Sequence, residues 1–167
     1  MQKGCAMRID KDFKEFCKRG QSKYFFINCI STLIFNPCFH SVCLFRLAGF
    51  FQKIRLSPLS KVIWYINRLL FNVDLDWRAD IAGGFVLVHG LGTVIGRGVH
   101  STGKLTVYQG VTLGGSYGRV KNEGGIERTM PLLNDDVIVY TGASIFGPVT
   151  IKAHTIIKAG QIVTSDI

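Results

Sequence analysis

Between Ile81 and Gly115 the hydrophobic positions repeat every six residues. Positions 81, 87, 93, 99, 105 and 111 hold Ile, Leu, Thr, Val, Leu and Val, with glycines scattered between them. A helix repeats at about 3.6 residues and a strand at about 2, so this period belongs to neither and is the hexapeptide pattern of a parallel β-helix. A second ladder, two residues further on, holds Gly83, His89, Ile95, Ser101, Val107 and Leu113, which puts His89 in the wall of the coil below Val107. The ladder breaks after Leu113 and resumes at Leu133, Val139, Ile145, Ile151, Ile157 and Val163. Removing 14 residues between 113 and 133 restores the phase, so a loop within about 115–130 is extruded from the coil. Its glycines and charges suit an excursion over the surface, where binding loops sit.

Before Asp74 the pattern is helical. Tyr24–Phe35 is apolar and stops ahead of Pro37, whose ring disfavours helical geometry in the residue before it. Pro37 opens a second helix to about Lys53, Pro58 a third over about Leu59–Phe71, and a weaker pattern covers Asp10–Lys18. Residues 1–72 are therefore an α-helical N-terminal lobe and residues 73–167 the coil. Each apolar run is shorter than the ~20 residues that cross a bilayer. The lobe is expected to pack on the coil or on another subunit, with its basic residues, Arg46 among them, as a solvated rim.

Charge narrows the partners. Lys and Arg exceed Asp and Glu by 20 to 11, a formal +9, which favours anionic partners. The basic residues are spread along the chain without interleaved aromatics, which excludes nucleic acid. A phosphorylated cofactor fits the sign, and so does peripheral contact with the inner face of an anionic membrane. All five cysteines fall in the first 43 residues, the count is odd and no CxxC occurs, so reduced thiols in the cytoplasm are expected. The CFHSVC segment around His40 lacks the ligands of a closed zinc site, and no metal is expected. The N-terminus has no apolar run of the signal-peptide kind.

Of the four histidines, His40 sits among apolar helix residues and reads as structural, while His100 and His154 read as solvated. His89 lies between aliphatic Leu87-Val88 and the glycines 90 and 92, which let a substrate approach. An imidazole titrating near neutrality there suits a general base. Asp74 lies 15 residues earlier, in the adjacent coil, where a carboxylate could fix the imidazole tautomer.

The segment VDLDWRADIAGGFVLVHGLGTVIG (residues 73–96), followed by QGVTLGG (109–115), resembles the serine acetyltransferase family and its relatives in capsule and exopolysaccharide synthesis. The resemblance implies a left-handed parallel β-helix, a homotrimer or dimer of trimers, acetyl-CoA as donor, and an active site between subunits. By position it makes His89 the general base and Asp74 its partner. It places Gly114, Gly115 and Ser116 against the thioester arm, Thr141 at the acetyl oxygen and Ala159 further along the pantetheine, with Gly142 also in the cofactor site.

The departures concern the acceptor. The family's Asp before the catalytic His is Val88 here, its Arg-His pair on the loop is Thr129-Met130 with Arg128 one place off, and Asp76-Trp77 replaces His-Pro. A zwitterion stripped of water without charged partners is costly. The expectation is therefore an O-acetyltransferase acting on a neutral sugar hydroxyl in surface polysaccharide synthesis. Two alternatives stand beside it: a serine O-acetyltransferase of cysteine biosynthesis, holding serine through Arg128 and Asp76, and a non-catalytic trimeric scaffold.

Overall fold

The computed structural model describes residues 3–167, with side chains described for residues 8–122, 124–125 and 127–167. Met1 and Gln2 of the N-terminal lobe and the Cys5 thiol lie outside the described residues. The helices are α1 (Lys3–Lys18), α2 (Phe25–Phe35), α3 (Pro37–Lys53) and α4 (Ser57–Phe71). Asn36 separates α2 from α3, and its side-chain oxygen accepts the Phe39 N–H at 3.0 Å to cap α3. Pro37 occupies the first turn, where a missing N–H costs nothing. α4 ends at Asn72, whose φ of 52° is one that asparagine tolerates.

From Asp74 the chain winds through three parallel sheets. The first holds β1 (Asp74–Leu75), β3 (Val94–Ile95), β6 (Thr112–Gly114), β11 (Ser144–Phe146) and β14 (Ile162–Val163). The second holds β2 (Phe85–Val88), β5 (Leu105–Tyr108), β10 (Val137–Val139) and β13 (Ile156–Ile157), and the third β4 (His100–Ser101), β9 (Leu132–Leu133) and β12 (Thr150–Ile151). Paired residues are 18 apart in Val94↔Thr112, Leu132↔Thr150 and Ser144↔Ile162, three hexapeptides per coil. Across the loop the spacing is 32, as in His100↔Leu132, which accounts for the 14 extruded residues. Leu75, Ile95, Leu113, Ile145 and Val163 stack as one buried column of the core.

The first coil departs from the six-residue count. Asp74↔Val94, Asp80↔His100 and Phe85↔Leu105 are 20 apart, whereas β3 to β6 keeps 18, so two extra residues lie in the turn between Val88 and Val94. Ile81 and Leu87 therefore belong to the ladder of Leu75, Ile95 and Val107, and Leu87, not His89, lies beneath Val107. The expectation that His89 is a wall residue is corrected: it stands on the inserted turn, outside the rungs.

The helical lobe seats on this first coil. The Phe45 ring meets Phe85 edge-on at 6.0 Å. Beside it Arg46 donates from Nε to Asp12 at 2.8 Å and from Nη2 to the Ala82 carbonyl at 2.7 Å, while Asp12 accepts the Gly84 and Phe85 N–H groups, each at 2.8 Å. Arg46 is 7% exposed and Asp12 0%. Arg46 is thus no part of a solvated rim, because a guanidinium with a carboxylate and two carbonyls to face is satisfied without water.

The extruded loop folds as an antiparallel hairpin of β7 (Lys121–Glu123) and β8 (Ile126–Arg128). It is pinned to residues 164–167: Arg119 donates to the Thr164 carbonyl at 2.9 Å and Lys121 pairs with Asp166 at 2.7 Å. The Lys121 ammonium, and then the Thr150 N–H, hold the Asp166 carboxyl below the usual carboxylate range. A carboxyl lowered in the folded state contributes stability above its unfolded pKa of about 3.9 and loses it as pH falls through the lower folded value. Protection of the hairpin amides against hydrogen exchange is expected to fall below about pH 4. Asp166→Asn is expected to show the weakened protection already at neutral pH.

Candidate active site

His89 follows the last residue of β2 and turns the chain out of the second sheet. Its φ is 64°, in the left-handed region that few non-glycine residues adopt, and Gly90 and Gly92 continue the turn at 61° and 69°. The turn closes on itself through Leu91 N–H to the His89 carbonyl at 2.7 Å and Thr93 N–H to the Gly90 carbonyl at 3.0 Å. The two inserted residues and this backbone project the imidazole outside the coil, where it is exposed. On one side it borders a groove of about 750 Å³ between α2 and the second sheet, lined also by Arg19, Ser31, Asn36 and Val88. On the other it borders an apolar pocket of about 120 Å³ that includes Leu70, Val73 and Leu91. Cys38, in the first turn of α3, lines both, and its thiol faces the His89 backbone. Burial pushes that thiol above its ordinary range, with the His89 N–H opposing.

The corner that carries His89 recurs up the coil. Asn72, Gly92, Gly110, Gly142 and Gly160 all have φ between 52° and 69°. They are joined by Gly92 N–H to the Asn72 carbonyl at 2.8 Å, Gly110 to Leu91 at 2.9 Å, Gly142 to Gln109 at 3.0 Å and Gly160 to Thr141 at 2.9 Å. Thr141, Gly142 and Ala159 therefore stand above His89 on one edge. Among the described residues the Thr141 N–H has no hydrogen-bond partner, and the buried side-chain oxygen of Gln109 has none either. Gly114, Gly115 and Ser116 lie at the opposite edge of the first sheet, where the hairpin leaves; the Gly147 N–H donates to the Gly114 carbonyl at 2.9 Å. A three-residue strand, about 10 Å, separates the two edges.

Asp74 lies two residues beyond Asn72, at the foot of the same corner. Its carboxylate accepts from Trp64 Nε1 at 2.9 Å and Arg68 Nη1 at 3.0 Å, both from α4, and no described hydrogen bond joins it to His89. Asp76 is held by Arg78, whose Nε donates at 2.8 Å and whose guanidinium lies 4.6 Å over the Trp77 ring. Arg128 ties the hairpin to the Val149 carbonyl at 3.1 Å and Thr150 Oγ1 at 2.8 Å. In this chain neither reaches the His89 groove. His40 donates from Nε2 to the Leu33 carbonyl at 2.8 Å, a structural position, whereas His100 and His154 sit at the surface beside Asp80 and Asp136.

Cys38, which lines both cavities, and Tyr108, which pairs with the residue before His89, were not singled out from the sequence. Cys38 comes from another element and has no local signal. Tyr108, which pairs with Val88, stacks on Tyr140 with ring centroids 4.8 Å apart. Their separation of 32 residues, one coil plus the loop, is readable from the ladder.

No protein-family model matches the chain. The serine acetyltransferase of Bacillus pumilus is 34% identical over 128 residues, covering 77% of this chain and 56% of that protein. That of Helicobacter pylori is 30% identical over 135 residues, covering 81% and 75%. The Neisseria gonorrhoeae serine acetyltransferase crystallised with serine superposes with a TM-score of 0.83 at 25% identity, covering 98% of this chain and 63% of that one. A serine acetyltransferase complex with CoA superposes at 0.82 and 21% identity, covering 99% and 64%. The repeat and these relatives define a hexapeptide-repeat acyltransferase. The chain belongs to the serine acetyltransferase family, and it spans about half the length of the Bacillus relatives it matches.

These relatives overturn the expected sugar acceptor and the kinship to polysaccharide enzymes. The inference from Val88, Thr129 and Met130 assumed that serine's charges can be met only at those positions. The groove beside His89 has a second wall, built by the helical lobe, that carries Arg19 and the polar side chains Ser31 and Asn36.

Proposed function

We propose that the protein is a serine O-acetyltransferase that uses acetyl-CoA, its coil left-handed and its active site completed between the subunits of a homotrimer or dimer of trimers. The observation that carries this reading is the inserted corner, which sets the His89 imidazole outside the wall with the unpartnered Thr141 N–H above it. His89 takes the proton of the serine hydroxyl as its oxygen attacks the thioester carbonyl. The Thr141 N–H faces the oxyanion, in the way fixed backbone donors stabilise such intermediates. Collapse breaks the C–S bond, and the imidazolium returns its proton to the departing CoA thiolate. The orphaned Gln109 oxygen on the same edge suits an amide N–H of the pantetheine arm. Asp74, at the foot of the corner, orients His89 once the subunits close the site.

The test is thiol release from acetyl-CoA with serine as acceptor: serine-dependent release supports the reading, and its absence with intact CoA binding overturns it. Val88 offers a second check. A carboxylate beside the general base would meet the serine ammonium, and charged hydrogen bonds contribute about 1.5–3 kcal/mol. Val88→Asp is therefore expected to lower the KM for serine about ten-fold with little change in kcat, and an unchanged or raised KM in steady-state kinetics would count against serine binding there.

A further inference from the structure

α1 and α3 bury apolar side chains against the coil, but α2 and α4 turn theirs outward. In α2 the buried residues are Asn28 and Thr32, whereas Phe25, Phe26, Ile27, Leu33, Ile34 and Phe35 are exposed, Phe26 by 73% and Phe35 by 75%. α4 repeats the inversion: Ser60 and Asn67 are buried beside Ile63, and Val62, Tyr65, Leu69 and Leu70 face out. The apolar pocket that Pro37, just past α2, shares with Leu70 and Leu91 joins the two faces. Contiguous apolar surface of this extent marks a contact site.

Charge identifies what covers it. Residues 1–72 carry twelve Lys and Arg against three Asp and Glu, whereas residues 73–167 carry eight of each, so the whole +9 resides in the lobe. No acidic residue occurs between Glu15 and Asp74, the stretch that contains α2, α3 and α4. Lys23 and Lys61 are exposed at the N-terminal ends of the two apolar faces. An apolar helix face with a basic border and no acidic residue is complementary to an anionic lipid surface. A second copy of the same lobe would instead set one basic border against another, and like charges across an interface repel. α2 has 11 residues, about 16 Å of helix against a hydrocarbon core of about 30 Å, and no single described helix is long and apolar enough to cross. We infer that the N-terminal lobe docks on an anionic bilayer, with α2 and α4 lying in the interface plane.

The experiment is co-sedimentation of the full chain with vesicles of phosphatidylcholine, with and without phosphatidylglycerol. Binding is expected only with phosphatidylglycerol present. Lys23→Gln and Lys61→Gln are each expected to weaken it about five-fold. Phe26→Ser combined with Ile34→Ser, outward positions that do not line the His89 groove, is expected to weaken it about a hundred-fold with the helical circular dichroism unchanged. No sedimentation with anionic vesicles, or equal sedimentation with both compositions, overturns the inference. So does a vesicle-free oligomer that the Phe26→Ser, Ile34→Ser variant dissociates while the wild type ignores vesicles, because a second copy then covers the face.

Discussion

His89→Asn is expected to lower turnover by about 10² to 10⁴, the usual contribution of a positioned general base, while leaving the affinity for acetyl-CoA unchanged. Asparagine is the better substitute than alanine because His89 holds φ at 64°, a conformation that asparagine accepts and that strains most other side chains. His89→Ala removes the same base but adds a backbone cost of about 1–2 kcal/mol. The two variants should therefore agree in kcat and differ slightly in thermal midpoint. A loss confined to KM in both, measured by steady-state kinetics with acetyl-CoA and serine varied in turn, would mean that His89 binds substrate and does not move its proton.

The second large effect is structural. Arg46→Ala is expected to destabilise the chain by about 3–5 kcal/mol, because it leaves Asp12 as an uncompensated buried charge. That is a large share of the about 5–15 kcal/mol that separates most folded domains from their unfolded chains. Asp12→Ala strands Arg46 and the N–H groups of Gly84 and Phe85 as well, and the double variant should lose less than the sum of the two. Urea midpoints of the three variants measure this. Single-variant losses under about 1 kcal/mol, the range of exposed pairs, would show that the knot does not hold the lobe on the coil.

Much of the fold was legible because its determinants are local or periodic. Pro37 and Pro58 mark helix starts that need no tertiary information, and the six-residue ladder, with 14 residues removed, reproduces the observed strand pairing above Val94. Below it the count failed, since Ile81 and Leu87 are apolar in either phase and conceal a two-residue insertion. That insertion carries His89 out of the rungs, so its setting was read incorrectly from phase, while its part in catalysis belongs to the proposed function. Arg46 was misplaced because its partner Asp12 lies 34 residues away on another helix. The inversion of α2 was invisible because apolar periodicity says which residues share a face, not whether that face looks inward. The sugar acceptor, which the serine acetyltransferase relatives contradict, was inferred from missing charges at Val88, Thr129 and Met130, and those exclude only one way of holding a serine.

The most direct test is the rate of CoA thiol release from acetyl-CoA as serine is added to the full chain, with His89→Asn in parallel. Saturable, serine-dependent release that the substitution reduces at least about a hundred-fold is the result predicted here. Release that does not depend on serine, or that survives the loss of His89, would contradict it.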